Sequence, residues 1–228
     1  MSSTQLRLVS GEGCSASATL ACALEEEIVL GYLHPRERLV EDQLAVRFDV
    51  KRHVVREALM ELNRIGLVER HPNRGASVVD LKPVEVEQIY DMRLLLEESA
   101  IKRMPLPMSP DMLQPLVEIQ RCHDTATEAG DARLMFRINI EFHREMFSHC
   151  GNRHLAETIE QFGQKSHGVR SLAIMQAGYN RRAAEEHWKI IHALKAGDRS
   201  ELLSVSRVHI TASRDAYIQA YRARFGEG

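Results

Sequence analysis

Between Leu20 and Val79 the chain passes through three short helical stretches and then two β-prone runs joined by a tight turn, an order that few folds accommodate. Apolar residues at Leu20, Ala23, Leu24, Ile28 and Leu30 recur near helical spacing. Gly31 ends that stretch, and Pro35 keeps it from resuming. Residues 41–48 form a second helix with Leu44, Ala45 and Phe48 turned inward. After the turn Asp49-Val50 the spacing predicts a third helix over 51–65, with Val54, Val55, Ala58, Leu59, Leu62 and Ile65 as its inward stripe. Gly66 suits the left-handed position that follows a helix. Residues 67–71 and 76–79 then read as strands, with Pro72-Asn73-Arg74-Gly75 as the turn between them. Three helices and a small hairpin spell a winged helix-turn-helix.

In such a unit the third helix is the one whose N-terminal side chains can meet base edges, because the major groove just admits a helix. Lys51, Arg52, His53 and Arg56 fall on that end, and Asn73, Arg74 and Gly75 on the hairpin tip. Whole-chain charge does not announce this role, since the net is −2. Locally the balance differs: residues 47–74 hold seven basic side chains against four acidic ones. Local phosphate neutralisation is what DNA affinity depends on. A solvated helix face is the competing explanation of the same charges.

The run GYLHPRERLVEDQLAVRFDVKRHVVREALMELNRIGLVERHPNRGASVVDL resembles the DNA-binding domain of GntR-type regulators. Gly31, Pro35, Leu39, Leu44-Ala45, Val50, Arg52, Val55-Arg56-Glu57-Ala58-Leu59, Leu62, Gly66-Leu67-Val68 and Asn73-Arg74-Gly75-Ala76 carry the likeness in order and spacing. It implies that Arg52 and Arg56 contact operator bases or phosphates and that the wing contributes. Pro35-Arg36 stands where Pro-Gly is usual, and Lys51 and His53-Val54 replace the common Ser and Thr-Pro.

From Pro83 onward helical periodicity runs over about 83–104, 109–129, 131–149, 152–170, 181–196 and 198–225, broken at Pro105, Pro107, Gly130, Gly151, Gly178 and Gly197. Six helices of this length can form an antiparallel bundle around a cavity. The expected organisation is a flexible tail over 1–18, the winged helix-turn-helix over 19–81, and an all-helical effector-binding and dimerisation domain over 82–228, a mainly α fold. Asn139 and His143 lie four residues apart, on one helix face. His187 and His209 lie on two further helices among residues that would face the core. Three imidazoles and an amide oxygen make a set for a divalent transition metal, zinc or nickel first among them. Core histidines held by hydrogen bonds are the competing reading.

The phrases IYDMRLLLEESA, NIEFHREMFSHCGN, EEHWKIIHALKAGD and VHI are similar to the FCD effector-binding domain of the FadR branch of GntR regulators. That resemblance implies that His143, His187 and His209 are metal ligands. It implies an oxygen from Asn139, where Asp is common, and a small organic acid completing the metal shell. Arg93 matches an arginine that faces the cavity and could pair with a carboxylate; an ion pair with Glu97 at i+4 is its structural alternative. The six-helix count leans towards the VanR-like subgroup rather than the seven-helix FadR-like one.

The expected protein is therefore a homodimeric, cytoplasmic, non-enzymatic regulator that binds double-stranded operator DNA under control of a carboxylate effector. A metal-dependent enzyme in the helical domain and a metal-sensing repressor are the rival readings. The four cysteines lack Cys-x-x-Cys spacing, which excludes a zinc ribbon. No stretch reaches the ~18 apolar residues of a membrane span.

Overall fold

The computed structural model describes residues 15–71, 75–174 and 178–225. Among them, ten helices and one three-stranded sheet are formed. The N-terminal unit comprises α1 (Ala16–Val29), β1 (Arg38–Leu39), α2 (Glu41–Arg47), α3 (Arg52–Arg64), β2 (Val68–His71) and β3 (Gly75–Val78). Helix α1 begins inside the stretch expected to be a flexible tail. Ser15 accepts a hydrogen bond from the Ala18 N–H, which supplies an N-cap at that point.

The inward stripes of these helices meet in one core of Leu20, Leu24, Ile28, Leu44, Val55, Leu59, Leu62 and Val78, among others. Each such side chain contributes about 1.5–3 kcal/mol on full burial. Strand β3 pairs antiparallel with β2 and, on its other edge, with β1. The two-residue β1 makes the wing a three-stranded sheet where the sequence predicted a hairpin.

Gly75 has φ +79°, and a Cβ there would come 2.7 Å from the Leu39 carbonyl oxygen. The bare backbone is needed for strand pairing within the wing, whatever the hairpin tip touches outside it. Gly75→Ala is expected to cost about 2 kcal/mol or more, through strained φ and a backbone clash. Chemical unfolding reads this directly, and an unchanged midpoint would show that β1 does not approach so closely.

Residues 83–225 hold α4 (Pro83–Arg103), α5 (Pro110–Ala129), α6 (Ala132–Ser148), α7 (Arg153–Lys165), α8 (His167–Ile174), α9 (Tyr179–Ala196) and α10 (Arg199–Phe225). Among the described residues here, seven helices are present, not six. The single helix expected over 152–170 breaks at Ser166, a fully buried residue whose Oγ donates to the Gly163 carbonyl at 2.7 Å and accepts from Arg93 at 3.2 Å. A serine bonded back to its own turn competes with the helical ladder. The break removes the ground for the VanR-like assignment.

One apolar cluster, including Leu116, Ile138, Phe142, Met146, Ile190 and Leu194, binds α4, α5, α6, α9 and α10 together. A second, around Val86, Tyr90, Val169, Ile210 and Tyr217, joins α4, α8 and α10. Helix α1 packs against α3 on one side and α8 on the other, so the two halves of the chain meet directly. Among the described residues, no helix is long and apolar enough to cross a membrane.

Candidate functional site

Two places in this fold can do chemistry or recognition, the N-terminal end of α3 and the helical half with the cavity it shares with α1. Lys51 is the N-cap of α3, and Lys51, Arg52, His53 and Arg56 are all exposed, while Val55, Ala58, Leu59 and Leu62 bury the opposite face. No acidic residue occupies the first turn, so the positive helix end is left uncompensated there. Arg52 Nε lies 2.5 Å from Asp42 Oδ1, and Arg56 Nε 2.7 Å from Glu41 Oε2. Both acids come from the first turn of α2. Exposed pairs of this kind contribute little, ~0–1 kcal/mol, so phosphates can replace the carboxylates at small cost. Asn73 and Arg74 lie outside the described residues.

Arg36, at the position where Pro-Gly is usual, has φ +67°. A glycine would adopt that angle without strain. Here the guanidinium is tied to Asp80 Oδ2 at 2.6 Å.

In the helical half, α6, α9 and α10 each supply one histidine. One nitrogen from each of His143, His187 and His209 falls within 4.8 Å of the others. The Nε2 atoms of His143 and His209 are 3.1 Å apart. Two ligands of a tetrahedral ion with bonds of ~2.0–2.1 Å would sit ~3.3 Å apart. His187 is fully buried, its Nδ1 lies 2.7 Å from Gln120 Oε1, and its Nε2 has no hydrogen-bond partner. Gln120 spends its amide N–H groups on Asp124 and the Ala184 carbonyl, so its oxygen must accept from His187 Nδ1. The Nε2 lone pair of His187 is thereby aimed, buried and unused.

His209 Nδ1 is fixed in the same manner by Glu186 Oε2 at 2.9 Å. Outer partners that fix a tautomer are how metal-ligating imidazoles are commonly held. The side chains therefore fit a divalent cation. Asn139 lines the same cavity as His143, and its buried Nδ2 is unpartnered. Turning that amide over would present its oxygen instead.

Burial holds His143 and His187 well below the usual imidazole range, and the neighbouring histidines and Arg170 push in the same direction. Neutral imidazoles are the form that binds metal. Beside them, burial lowers His123 to about 4, against the opposing pull of Asp124. The unfolded chain takes up a proton near pH 6.5 that folded His123 refuses until about pH 4. Stability therefore falls as pH drops through that window, by about 3 kcal/mol. Urea unfolding at pH 7 and pH 4.5 should show a loss that His123→Gln reduces, and an equal loss in both proteins would contradict it.

The cavity has a volume of about 550 Å³ and is walled by α1, α4, α6, α7 and α8. Arg93 is buried on its wall, 3.1 Å from Glu97, with its Cζ 5.1 Å from the Tyr90 ring centroid. Burial opposes its charge, but Glu97 outweighs this and holds the guanidinium firmly protonated. Arg170 lines the same space, and burial followed by the nearby Arg93 charge lowers its pKa. Of these two guanidiniums, Arg93 is the one paired with Glu97. Sequence reasoning missed Gln120, Glu186, His123 and Arg170, whose roles depend on neighbours far along the chain.

Residues 88–212 match the FCD domain family, and residues 16–78 match the gntR family of bacterial regulatory proteins. The chain belongs to the GntR family. This GntR regulator is 28% identical to the uncharacterized HTH-type transcriptional regulator YdhC of Bacillus subtilis (strain 168), over 75% of this chain and 77% of that protein. It is 26% identical to the gluconate operon transcriptional repressor of Bacillus licheniformis, over 83% and 79% of the two chains. Among solved structures, E. coli McbR/YncC superposes with a TM-score of 0.73 at 21% identity, covering 91% of this chain and 99% of that one. A GntR regulator from Rhodococcus sp. RHA1 superposes with a TM-score of 0.74 at 22% identity, covering 92% and 100%. The matched family is one of bacterial regulatory proteins and the two sequence relatives are named as regulators of transcription: the GntR regulator is a DNA-binding protein and not an enzyme.

Proposed function

We propose that this GntR regulator binds operator DNA as a homodimer and changes its grip when a small organic acid docks on a metal in the helical domain. His143, His187 and His209 would hold the metal through nitrogen, with an oxygen from Asn139. Arg93 would pair with a carboxylate of the acid. On DNA, Lys51, Arg52, His53 and Arg56 would face the major groove, with the wing residues Asn73, Arg74 and Gly75 alongside. The observation that carries the sensing half is the buried, partnerless Nε2 of His187, turned towards two other imidazoles.

A bound divalent cation would supply Lewis acidity and positive charge to an incoming carboxylate. Every protein ligand in this set is neutral, so the ion's charge is left for the effector to neutralise. Leu95 and Met92 on α4 and Val208 on α10 are exposed, and Arg207 pairs with Glu98 beside them. That apolar strip suits the homodimer contact, which would present two recognition helices to half-sites ~34 Å apart.

Gluconate is the first acid to try, because one relative is named for a gluconate operon. A duplex recovered by this protein from a random-sequence pool serves as the DNA. Gel shifts of metal-loaded protein should change with the acid, and a chelator should abolish that change. A response that survives chelation would remove the metal from the mechanism. DNA release by metal alone would make the metal itself the signal.

A further inference from the structure

Helix α1 carries three consecutive acids, Glu25, Glu26 and Glu27, and they do not lie on a solvated face: Glu26 is 5% exposed and Glu27 9%. Each has a specific partner. Glu25 Oε1 is 2.6 Å from His167 Nδ1 at the start of α8. Glu26 takes Arg137 at 2.5 Å and Arg133 at 3.1 Å, both on α6. Glu27 stays within the DNA-binding unit and pairs with Arg47 of α2 at 2.5 Å. That same α2 carries Glu41 and Asp42, which hold Arg56 and Arg52.

Glu25, Arg137 and His167 all line the 550 Å³ cavity. One wall of the cavity is therefore built by the DNA-binding unit itself: Glu25 lines it against the His167 imidazole, and Glu26, outside the lining, holds the guanidinium of Arg137. Carboxylates on such partners stand where the acid group of a ligand would stand. His167 is buried and Arg137 half-buried, its side chain 36% exposed, so a ligand carboxylate that reaches them competes directly with the chain's own.

We infer that His167 and Arg137 form a second acid-binding pole of the cavity, held in the ligand-free protein by the chain's own Glu25 and Glu26 and taken over by the second acid group of a di-acid effector. This rests on the reading that the cavity receives an organic acid, with its first acid group at the histidine cluster. Displaced Glu25 and Glu26 let α1 separate from α6 and α8. Glu27–Arg47 carries that release to α2, and so to the acids that neighbour the recognition arginines. The effector class is then a dicarboxylate, and the same two side chains that bind it govern the DNA-binding unit.

The test uses full-length, metal-loaded protein, calorimetry with succinate and glutarate against butyrate and valerate (the mono-acids of equal length), and hydrogen exchange along α1. Wild type should bind the di-acids several-fold more tightly than the mono-acids, and α1 amides should exchange faster on di-acid saturation. In Glu25→Gln/Glu26→Gln, di-acid affinity should rise about tenfold, mono-acid affinity should stay put, and α1 should exchange fast from the outset. Glu25→Gln alone, at the less buried position, serves should the double variant not fold; the exchange measurement on wild type needs no variant. Mono-acids binding as well as di-acids, or α1 protection that is unchanged at saturation, overturns the second pole while leaving an acid-binding cavity standing. Failure of every acid to bind wild type overturns both the second pole and the effector reading.

Discussion

His187→Ala is expected to abolish stoichiometric metal binding, with a loss of affinity above 100-fold. The reason lies in how the ring is held. Gln120 fixes its Nδ1 at 2.7 Å, Phe142 stacks on it with centroids 4.1 Å apart, and its Nε2 is left without a partner inside the protein. No other described histidine is positioned to replace that lone pair, since His123 meets His187 edge-on at 5.2 Å. Gln120→Leu should act through the same ring and cost about 10–100-fold, the usual range for an outer partner. Competition against a chromophoric chelator measures both. Deleting a buried ring also leaves a hole, so unfolding midpoints of the metal-free proteins must accompany the titration. Metal affinity in His187→Ala equal to wild type would place the ion elsewhere.

Arg56→Ala should weaken operator binding by ~1–3 kcal/mol if its guanidinium reads a base, or roughly 5–150-fold. Arg52→Ala should behave alike. The free protein offers these side chains at low cost, because their carboxylate partners Glu41 and Asp42 form exposed pairs at 2.7 and 2.5 Å. For that reason neither substitution should shift unfolding by more than about 0.5 kcal/mol. A residue that contacts only phosphate would instead lower the salt slope by about one unit across all sequences. Gel shifts at two salt concentrations separate these cases, and unchanged affinity for either variant removes that arginine from the interface.

The winged helix-turn-helix was legible because its evidence is local. The stripe from Val55 to Leu62 and the left-handed Gly66 both appear where helical spacing and helix-ending rules put them. The two-residue strand β1 left no such pattern, being too short to alternate. The α7–α8 break was hidden for a related reason: Ser166 ends a helix through its own back-bond and a contact with Arg93, far away in sequence. Glu25 and Glu26 carry no sequence signal of their role, since His167 and Arg137 reach them from more than 100 residues along the chain. The three histidines could be named from spacing and resemblance. Their partners Gln120 and Glu186 could not, because an outer partner is chosen by where helices cross and not by a motif.

Elemental analysis and anomalous scattering from one crystal, grown from protein purified without chelator, test the sensing site most directly. One transition-metal ion per chain is expected, with its peak about 2.0–2.2 Å from one nitrogen each of His143, His187 and His209. A metal-free protein, with those imidazoles instead closed on one another by hydrogen bonds, would contradict it.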